Sequence, residues 1–504
     1  MARDLLVALD AGTGSGRCVV FDTEGTVVAS AQEPFTYRLL VDPEMPLLRG
    51  FDIDPVAFWG ALGRCARSAL AAVPSDAHIR GVVATSQREG CVFLDAAGGV
   101  LYAGPNLDAR AVLQGMEAQS RMPSERLHAI TGHAPPYIFA LARYLWFRQH
   151  HDASRIATLF MLNDWITHLL SGARVAEHSN ACESMLYDVT RRCWADEILD
   201  TFDIPRAILP PLCDAGTPVG RVTAAAAAAT GLPEGTPVFA GGADTESALL
   251  GGGVYEVGEV AAVLGTTTPV QQVLDAPCID PDGNLWTSPH VVPGRWVLES
   301  NAGDTGSTYR WLLELTCGGT DAAAHAAAET AMAAVGPAPR EIFCHLGPAV
   351  FNLRNMNPLQ PAGLLFRFPL LHVDRPTRGD LLRACLENVA YAVRGNCEQI
   401  AAVSGRPLER LWVSGGMTRS PTLLRLLATT LDVPLVVALV PDSASLGCAI
   451  LGAVGAGLYP DAATAAAAMV RTRPVDPDRP FTDAFSERYR RWRELSASLQ
   501  SWTI

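Results

Sequence analysis

Five stretches of the chain carry residue types that could cradle an oxyanion, anchor a cation, accept a proton, seat a flat ring or bind a polyol. In Asp10-Ala11-Gly12-Thr13-Gly14-Ser15-Gly16-Arg17, the glycines permit a tight hairpin. Its N–H groups and hydroxyls, at Gly12, Thr13, Gly14 and Ser15, can approach an oxyanion beside the Arg17 charge. Asp10 can hold a hydrated Mg²⁺, an ion satisfied by one or two carboxylates plus phosphate oxygens. The same stretch also reads as a glycine-rich β-turn with a surface aspartate. In Gly241-Gly242-Ala243-Asp244-Thr245-Glu246, Asp244 stands where a strand ends and a small-residue helix begins. That is a place for a general base that accepts a hydroxyl proton, and equally for a helix N-cap. In Ser414-Gly415-Gly416-Met417-Thr418-Arg419-Ser420, the glycine pair lets a flat ring such as adenine lie against backbone, or simply makes a tight βα turn. The polar sets Gln87-Arg88-Glu89 and Asn106-Leu107-Asp108-Ala109-Arg110 offer the donors and acceptors a polyol needs, or are solvated loop charges.

These loops need elements to hold them. Leu5–Leu9 reads as a buried strand, followed by Cys18–Phe21, a Glu24-Gly25 turn and Val27–Ala29, a β-meander with the polar loop at its first hairpin. Similar apolar runs recur at Gly81–Thr85, Cys91–Leu94, Pro237–Gly241, Val260–Leu264, Trp296–Glu299 and Leu411–Ser414, with amphipathic stretches between them. Strands interleaved with helices predict an α/β fold. Leu9-Asp10-Ala11-Gly12-Thr13 and Val263-Leu264-Gly265-Thr266-Thr267 repeat one pattern, a strand followed by a Gly-Thr loop. The repeat predicts two domains of like architecture, residues 1–250 and 251–504, parting near Gly251-Gly252-Gly253 and each presenting a loop to a shared cleft. Ala224–Ala229, closed by Gly231, reads as a helix, as does Ala444–Gly457. The chain beyond Tyr459 reads as a surface helix over the second domain.

Composition narrows the chemistry. The 504 residues suffice for two to four domains, and a net charge of −13 argues against a nucleic-acid or anionic-membrane surface as the main partner. All 39 basic residues are arginine. A P-loop, a protein kinase and a Schiff-base enzyme each need a lysine, so these three are excluded. The 12 cysteines are scattered with no C-x-x-C pair and read as small buried hydrophobes in a reducing compartment. No apolar run reaches the roughly 18 residues of a membrane span, and Leu5–Leu9 is too short for a signal segment, so the expected location is cytoplasmic.

The order of these motifs, from Leu5 to about Gly457, resembles the FGGY carbohydrate kinases of the sugar kinase, actin and chaperone ATPase superfamily. The resemblance rests on Asp10–Arg17, Ser86–Gly90, Asn106–Arg110, Gly241–Asp244, Gly265-Thr266-Thr267, Gly415-Gly416 with Ser420, and Leu446–Ala449. It implies two actin-like (ribonuclease H-like) domains with ATP and a sugar in the cleft between them. It also implies Asp244 as general base, Asp10 as Mg²⁺ anchor, and Gly265, Thr266 and Thr267 with Thr13 as phosphate contacts. Gly415, Gly416 and Ser420 would be the adenosine site. The polar sets at Gln87–Glu89 and Asn106–Arg110, with Asp244, would bind the acceptor.

Segments including Arg88-Glu89-Gly90, Asn163-Asp164-Trp165, Ser179-Asn180-Ala181 and Ser288–Gly294 resemble most the branch acting on autoinducer-2, a dihydroxypentanedione. Xylulose, ribulose, erythritol and glycerol are the alternative acceptors. Arg143 stands where many relatives carry lysine, Arg425 where glutamine is common, Asp442 where glutamate is usual and Thr267 where serine is commoner. A homodimer is a further expectation. A non-catalytic or chaperone-type ATP-binding protein is the rival reading, and Asp244 together with the polar loops argues against it.

Overall fold

Leu5 to Leu9 carry apolar side chains in succession because both faces of their strand are covered. Asp4–Ala11 is buried from Leu5 onward, which is the pattern of an inner strand in an α/β sheet. In the computed structural model, which describes residues 3–41, 48–352, 361–366, 375–440 and 442–500, this strand pairs antiparallel with Ser15–Asp22, and that strand pairs in turn with Val27–Pro34. On its other side the strand runs parallel to His78–Ser86, which runs parallel to Pro237–Phe239. Pro218–Arg221 closes that edge antiparallel. The meander and the α/β class expected from the sequence are both present. The run read as a strand to Gly241 pairs only through Phe239, because Ala240 bonds instead to Gly216 and Thr217.

The chain divides into two compact units. The first comprises Met1–Tyr255, Leu274–Val297 and Asp442–Val470. Its sheet carries Leu5, Val7 and Leu9 against Phe58 and Leu62 of the helix Pro55–Leu70 and against Trp165. Packing against the same two inner strands is the helix Ser443–Gly455, which also crosses the helix Asp244–Gly251. A separate core, built on Phe93, Tyr102, Leu127, Phe139, Tyr187 and Trp194, supports a three-stranded sheet of Val100–Gly104, Cys91–Leu94 and Thr158–Met161. The alanine run forms the helix Ala224–Thr230, ended by Gly231 at φ +77°.

The second unit comprises Glu256–Val273, Leu298–Pro441 and Arg471–Ile504. Here Val260–Val263 pairs antiparallel with Pro269–Leu274 and parallel with Leu411–Ser414, which runs parallel to Leu435–Ala438. Thr472–Val475 closes the edge antiparallel. Over these five strands the pairing repeats that of the first unit, so the duplicated Gly-Thr loops follow the corresponding strand in each. The 27-residue helix Arg378–Ser404 runs behind it, started by a capping box between Thr377 and Asp380. The helix Thr482–Gln500 docks through Trp492, whose indole donates to Asn388 at 2.8 Å.

The crossing of Asp244–Gly251 with Ser443–Gly455 depends on glycine. A Cβ on Gly447 would lie 1.9 Å from the Ser247 carbonyl oxygen, and one on Gly251 would lie 1.9 Å from that of Ser443. Overpacking of this kind costs about 1–3 kcal/mol or more. Gly447→Ala is therefore expected to lower stability by about 3 kcal/mol, read as a shifted urea midpoint. An unshifted midpoint would show that the two helices part freely.

Candidate active site

The parallel register sets three strand ends side by side. Asp10 is opposite Thr85, Ala11 is opposite Ser86, and Ser86 bridges to Ala243. Gln87, Arg88, Glu89 and Asp244 therefore leave the sheet at its carboxyl edge next to Asp10, the edge where open α/β sheets take their ligands. Asp244 is the first residue of its helix, whose N-cap position is occupied by Ala243, so the capping role is not the one it fills. Asp10 is not a surface residue either, being only 5% exposed.

The first hairpin holds its charges tightly. Arg17 lies opposite Asp10 across the strand pair, and its guanidinium donates to Asp442 Oδ2 at 3.0 Å while standing 3.5 Å from Asp10 Oδ2. Asp442 also caps the helix Ser443–Gly455 by accepting from the Ser445 N–H. Burial, followed by the negative charge of Asp442, pushes the Asp10 carboxyl well above the usual carboxylate range. Arg17 pulls it down and Asp244 adds to the rise. Asp10 Oδ1 is buried with no hydrogen-bond partner. A carboxylate starved of donors beside two further aspartates is a site for positive charge, and Mg²⁺ fits it. No group of three or more His, Cys, Asp or Glu able to cage a metal occurs among the described residues.

Gln87 staples the hairpin to the next loop. Its N–H donates to the Ala11 carbonyl, and its side-chain oxygen accepts from the Asn106 N–H at 3.0 Å. Asn106 in turn donates to the Thr13 hydroxyl at 2.9 Å, and Tyr37 donates to the Thr13 carbonyl at 2.8 Å. The Thr13 hydroxyl keeps its own proton free to donate. Ser15 accepts from Gln32.

Arg143 sits beneath the loops at Glu89 and at Gly104–Asp108, fully buried. It donates to the carbonyls of Glu89 at 2.6 Å, Pro105 at 2.8 Å, Asp108 at 3.3 Å and Gly104 at 3.4 Å. Its planar fork reaches four carbonyls, which the point charge of lysine does not do in the same way. Glu89 is held at φ +59°, a conformation that costs a non-glycine residue roughly 1–2 kcal/mol. Arg88 lies 3.5 Å from Glu183 Oε1 and has its guanidinium 5.8 Å from the Trp286 ring centre. His133 stands 3.4 Å from the same Glu183 oxygen. Glu183 and His133 carry no short-range signal in the sequence that would mark them.

Two predicted acceptor residues do not join this group. Asp108 accepts from Phe51 N–H, from Arg110 and, at 2.5 Å, from the Tyr102 hydroxyl. Arg110 also donates to Asp52 and to the Phe51 carbonyl, and stacks over Tyr102 and Trp146 at 5.2 and 5.1 Å. This pair locks the loop onto the strand Arg49–Ile53, which pairs antiparallel with Tyr37–Val41. Gln87, Arg88, Glu89 and Asp108 are each under 10% exposed, so they are not solvated loop charges.

In the second unit, Gly265 leaves the strand and Thr266 and Thr267 are exposed. The loop rests on the helix Thr305–Cys317, whose Gly306 and Ser307 N–H groups donate to the Thr266 carbonyl. Gly415 has φ +93°, and a Cβ there would meet the Leu264 carbonyl oxygen at 2.6 Å, so this turn admits only glycine. Gly416 is open on its free side. The Ser420 hydroxyl caps the helix Pro421–Leu431 and donates to Glu329, which also accepts from Thr422. Its hydrogen-bonding capacity is therefore largely spent within the unit.

The signature described as FGGY family of carbohydrate kinases, N-terminal domain, matches residues 5–251, and that of the C-terminal domain matches residues 260–456. The autoinducer-2 kinase of Yersinia pseudotuberculosis is 33% identical over 482 residues, covering 90% of this chain and 87% of that protein. Among solved structures, a xylulose kinase from Rhodospirillum rubrum aligns with a TM-score of 0.83 at 28% identity over 98% of this chain and 99% of its own. A Plasmodium falciparum glycerol kinase with ADP aligns at 0.85 and 18% identity over 100% and 99%, a likeness of fold.

Glu89 yields a pH test. Burial, against the pull of Arg88, pushes its carboxyl from 4.5 up to about 8. Between those values the folded chain keeps a proton that the unfolded chain has released, so this group's contribution to stability falls as pH rises from about 4.5 to 8. Buried Glu177 and Glu387, each at about 7, contribute with the same sign. In thermal melts from pH 5 to 8, Glu89→Gln is expected to flatten the decline of Tm relative to wild type. An identical slope in the two proteins would overturn the assignment.

Proposed function

This chain belongs to the FGGY family of carbohydrate kinases and is a phosphotransferase; from that premise we propose that it phosphorylates a hydroxyl of autoinducer-2-type dihydroxypentanedione, with Asp244 as general base. The observation that carries the chemistry is the shared strand edge of Asp10, Gln87–Glu89 and Asp244, a cation anchor, an acceptor-reading loop and a carboxylate in adjacent positions. The substrate is favoured by 33% identity to a protein of that name over most of both chains. Xylulose, ribulose, erythritol and glycerol are the alternatives.

In this reading the acceptor hydroxyl attacks the γ-phosphorus of ATP as its proton passes to Asp244. The bond from that phosphorus to the β,γ-bridging oxygen breaks, and ADP leaves with the electron pair. Such transfers ask mostly for positioning and charge neutralisation. Arg88 donates to the acceptor's oxygens, while Glu89, protonated below about pH 8, can donate to a carbonyl as well as accept. Gly12–Ser15 and Gly265–Thr267 offer N–H groups and hydroxyls to the phosphates, with Arg17 as the nearby cation. Asp10 would hold Mg²⁺, which when bound neutralises phosphate charge. The Gly415-Gly416 turn would take the adenosine, in a division of labour that puts acceptor binding and the first phosphate loop on residues 1–250, and adenosine binding and the second phosphate loop on 251–504. No helix among the described residues is long and apolar enough to cross a membrane, and the proposed setting is cytoplasmic.

The test is Mg-ATP turnover, followed by ADP release, across dihydroxypentanedione and the four alternative acceptors. One acceptor is expected to stimulate turnover well above the basal rate. Asp244→Asn is expected to lose about 10²–10⁴-fold of that rate, the usual contribution of a general base, while ATP binding measured by calorimetry is retained. Loss of ATP binding in the variant would remove Asp244 from this role. Stimulation by xylulose in place of the dione would reassign the substrate.

A further inference from the structure

The loop that delivers Asp244 meets the sheet beyond Phe239 at a single isolated bridge, Ala243 to Ser86. Continuous strand pairing stops at Phe239, and apart from the one bridge at Ala243 the backbone groups of Gly241, Gly242 and Ala243 are left to be satisfied by other partners, as buried backbone must be. Three side chains from three different elements do this. Asn163 donates its amide to the Gly241 carbonyl at 2.7 Å, and Thr85 donates its hydroxyl to the Gly242 carbonyl at 2.8 Å. The Ser179 hydroxyl accepts from the Ala243 N–H at 2.9 Å. All three side chains are fully buried.

Ser179 is itself held. Its hydroxyl proton goes to Glu177 Oε2 at 2.5 Å, an oxygen that also accepts from the Ser179 N–H at 2.8 Å and the Asn180 N–H at 3.2 Å. Donation to a carboxyl polarises the hydroxyl and strengthens it as an acceptor for Ala243. Behind Glu177, its own N–H donates to Asp164 Oδ1 at 3.1 Å. The loop also presses close: a Cβ on Gly242 would meet Val291 Cγ1 at 2.2 Å and Ser179 Oγ at 2.9 Å. The segments Asn163-Asp164 and Ser179-Asn180, which stood out in the sequence without a role, thus converge on one loop.

We propose that Ser179, braced by Glu177, is a positioning residue for the phosphoryl-transfer step, setting where the Asp244 helix begins and so where its carboxylate stands. The inference rests on the reading of Asp244 as base. A misplacement of about 1 Å at such a group costs about 10²-fold in rate, whereas acceptor and nucleotide contacts lie on other residues.

The experiment uses the full chain and two readouts. In turnover with the best acceptor of the five-compound panel, Ser179→Ala is expected to lower kcat about 10- to 100-fold with the KM of acceptor and of ATP held within about twofold. In hydrogen exchange read by mass spectrometry, which needs no acceptor, the peptide containing Ala243 is expected to exchange at least about tenfold faster, with other segments unchanged. Glu177→Gln, which keeps an accepting oxygen, is expected to preserve most of kcat. Ser179→Cys, close in size and a weaker acceptor, is expected to fall between and serves if the alanine variant does not fold. In an Asp244→Asn background, Ser179→Ala is expected to remove nothing further.

Wild-type kcat in Ser179→Ala, a loss confined to KM, or unchanged exchange at Ala243 would each overturn the proposal. Full turnover in Asp244→Asn would instead overturn the base assignment, with the exchange measurement still deciding whether Ser179 anchors the loop.

Discussion

The parallel register of three strands is the constraint on which the site depends. Because Asp10 lies opposite Thr85 and Ser86 bridges to Ala243, residues separated by more than 200 positions reach one edge with their side chains already aligned. A one-residue slip would turn every side chain of a strand to the opposite face. The strand's own chemistry resists that slip, since Leu5, Val7 and Leu9 fill one core while Leu6 faces Gly452 of the helix Ser443–Gly455. Burial of apolar surface on both faces thereby specifies the position of the polar groups at the end.

Beyond the strand ends the chain relies on buried polar groups that satisfy backbone. Arg143 ties together the loops after two strands by reaching four carbonyls, and Ser179, Thr85 and Asn163 do the same for the loop before Asp244. The logic is that an unpaired buried carbonyl or N–H costs roughly 1–3 kcal/mol, so each such side chain leaves its loop one favourable conformation. The strain at Glu89 is sustained in this way, with its carbonyl held by Arg143. Asp10 keeps one carboxyl oxygen buried without a hydrogen-bond partner.

Several features were legible in the residues alone. The inner strands announced themselves as apolar runs, the duplication as a repeated strand and Gly-Thr loop, and the candidate site as glycine-rich junctions with an aspartate. Asp108 and Arg110 looked equally suited to an acceptor, yet their spacing concealed a different use. Asp52, Phe51 and Tyr102 supply nearer partners, and those lie on strands whose proximity no local pattern reveals. Ser420 is similar, because the carboxylate that engages it comes from Glu329, 91 residues away.

Sequence by itself determined the element types, the α/β class and the chemical inventory: no lysine, a glycine hairpin beside Asp10, and Asp244 at a strand-to-helix junction. Those follow from local periodicity, backbone freedom and side-chain pKa, which are properties of neighbouring residues. Tertiary structure alone decided which polar residues meet, that Asp442 and the helix Ser443–Gly455 belong with the first unit, and that Glu177 and Ser179 stand behind Ala243. Those outcomes rest on pairings between distant segments, chosen by which arrangement buries apolar faces while leaving the fewest polar groups unpaired.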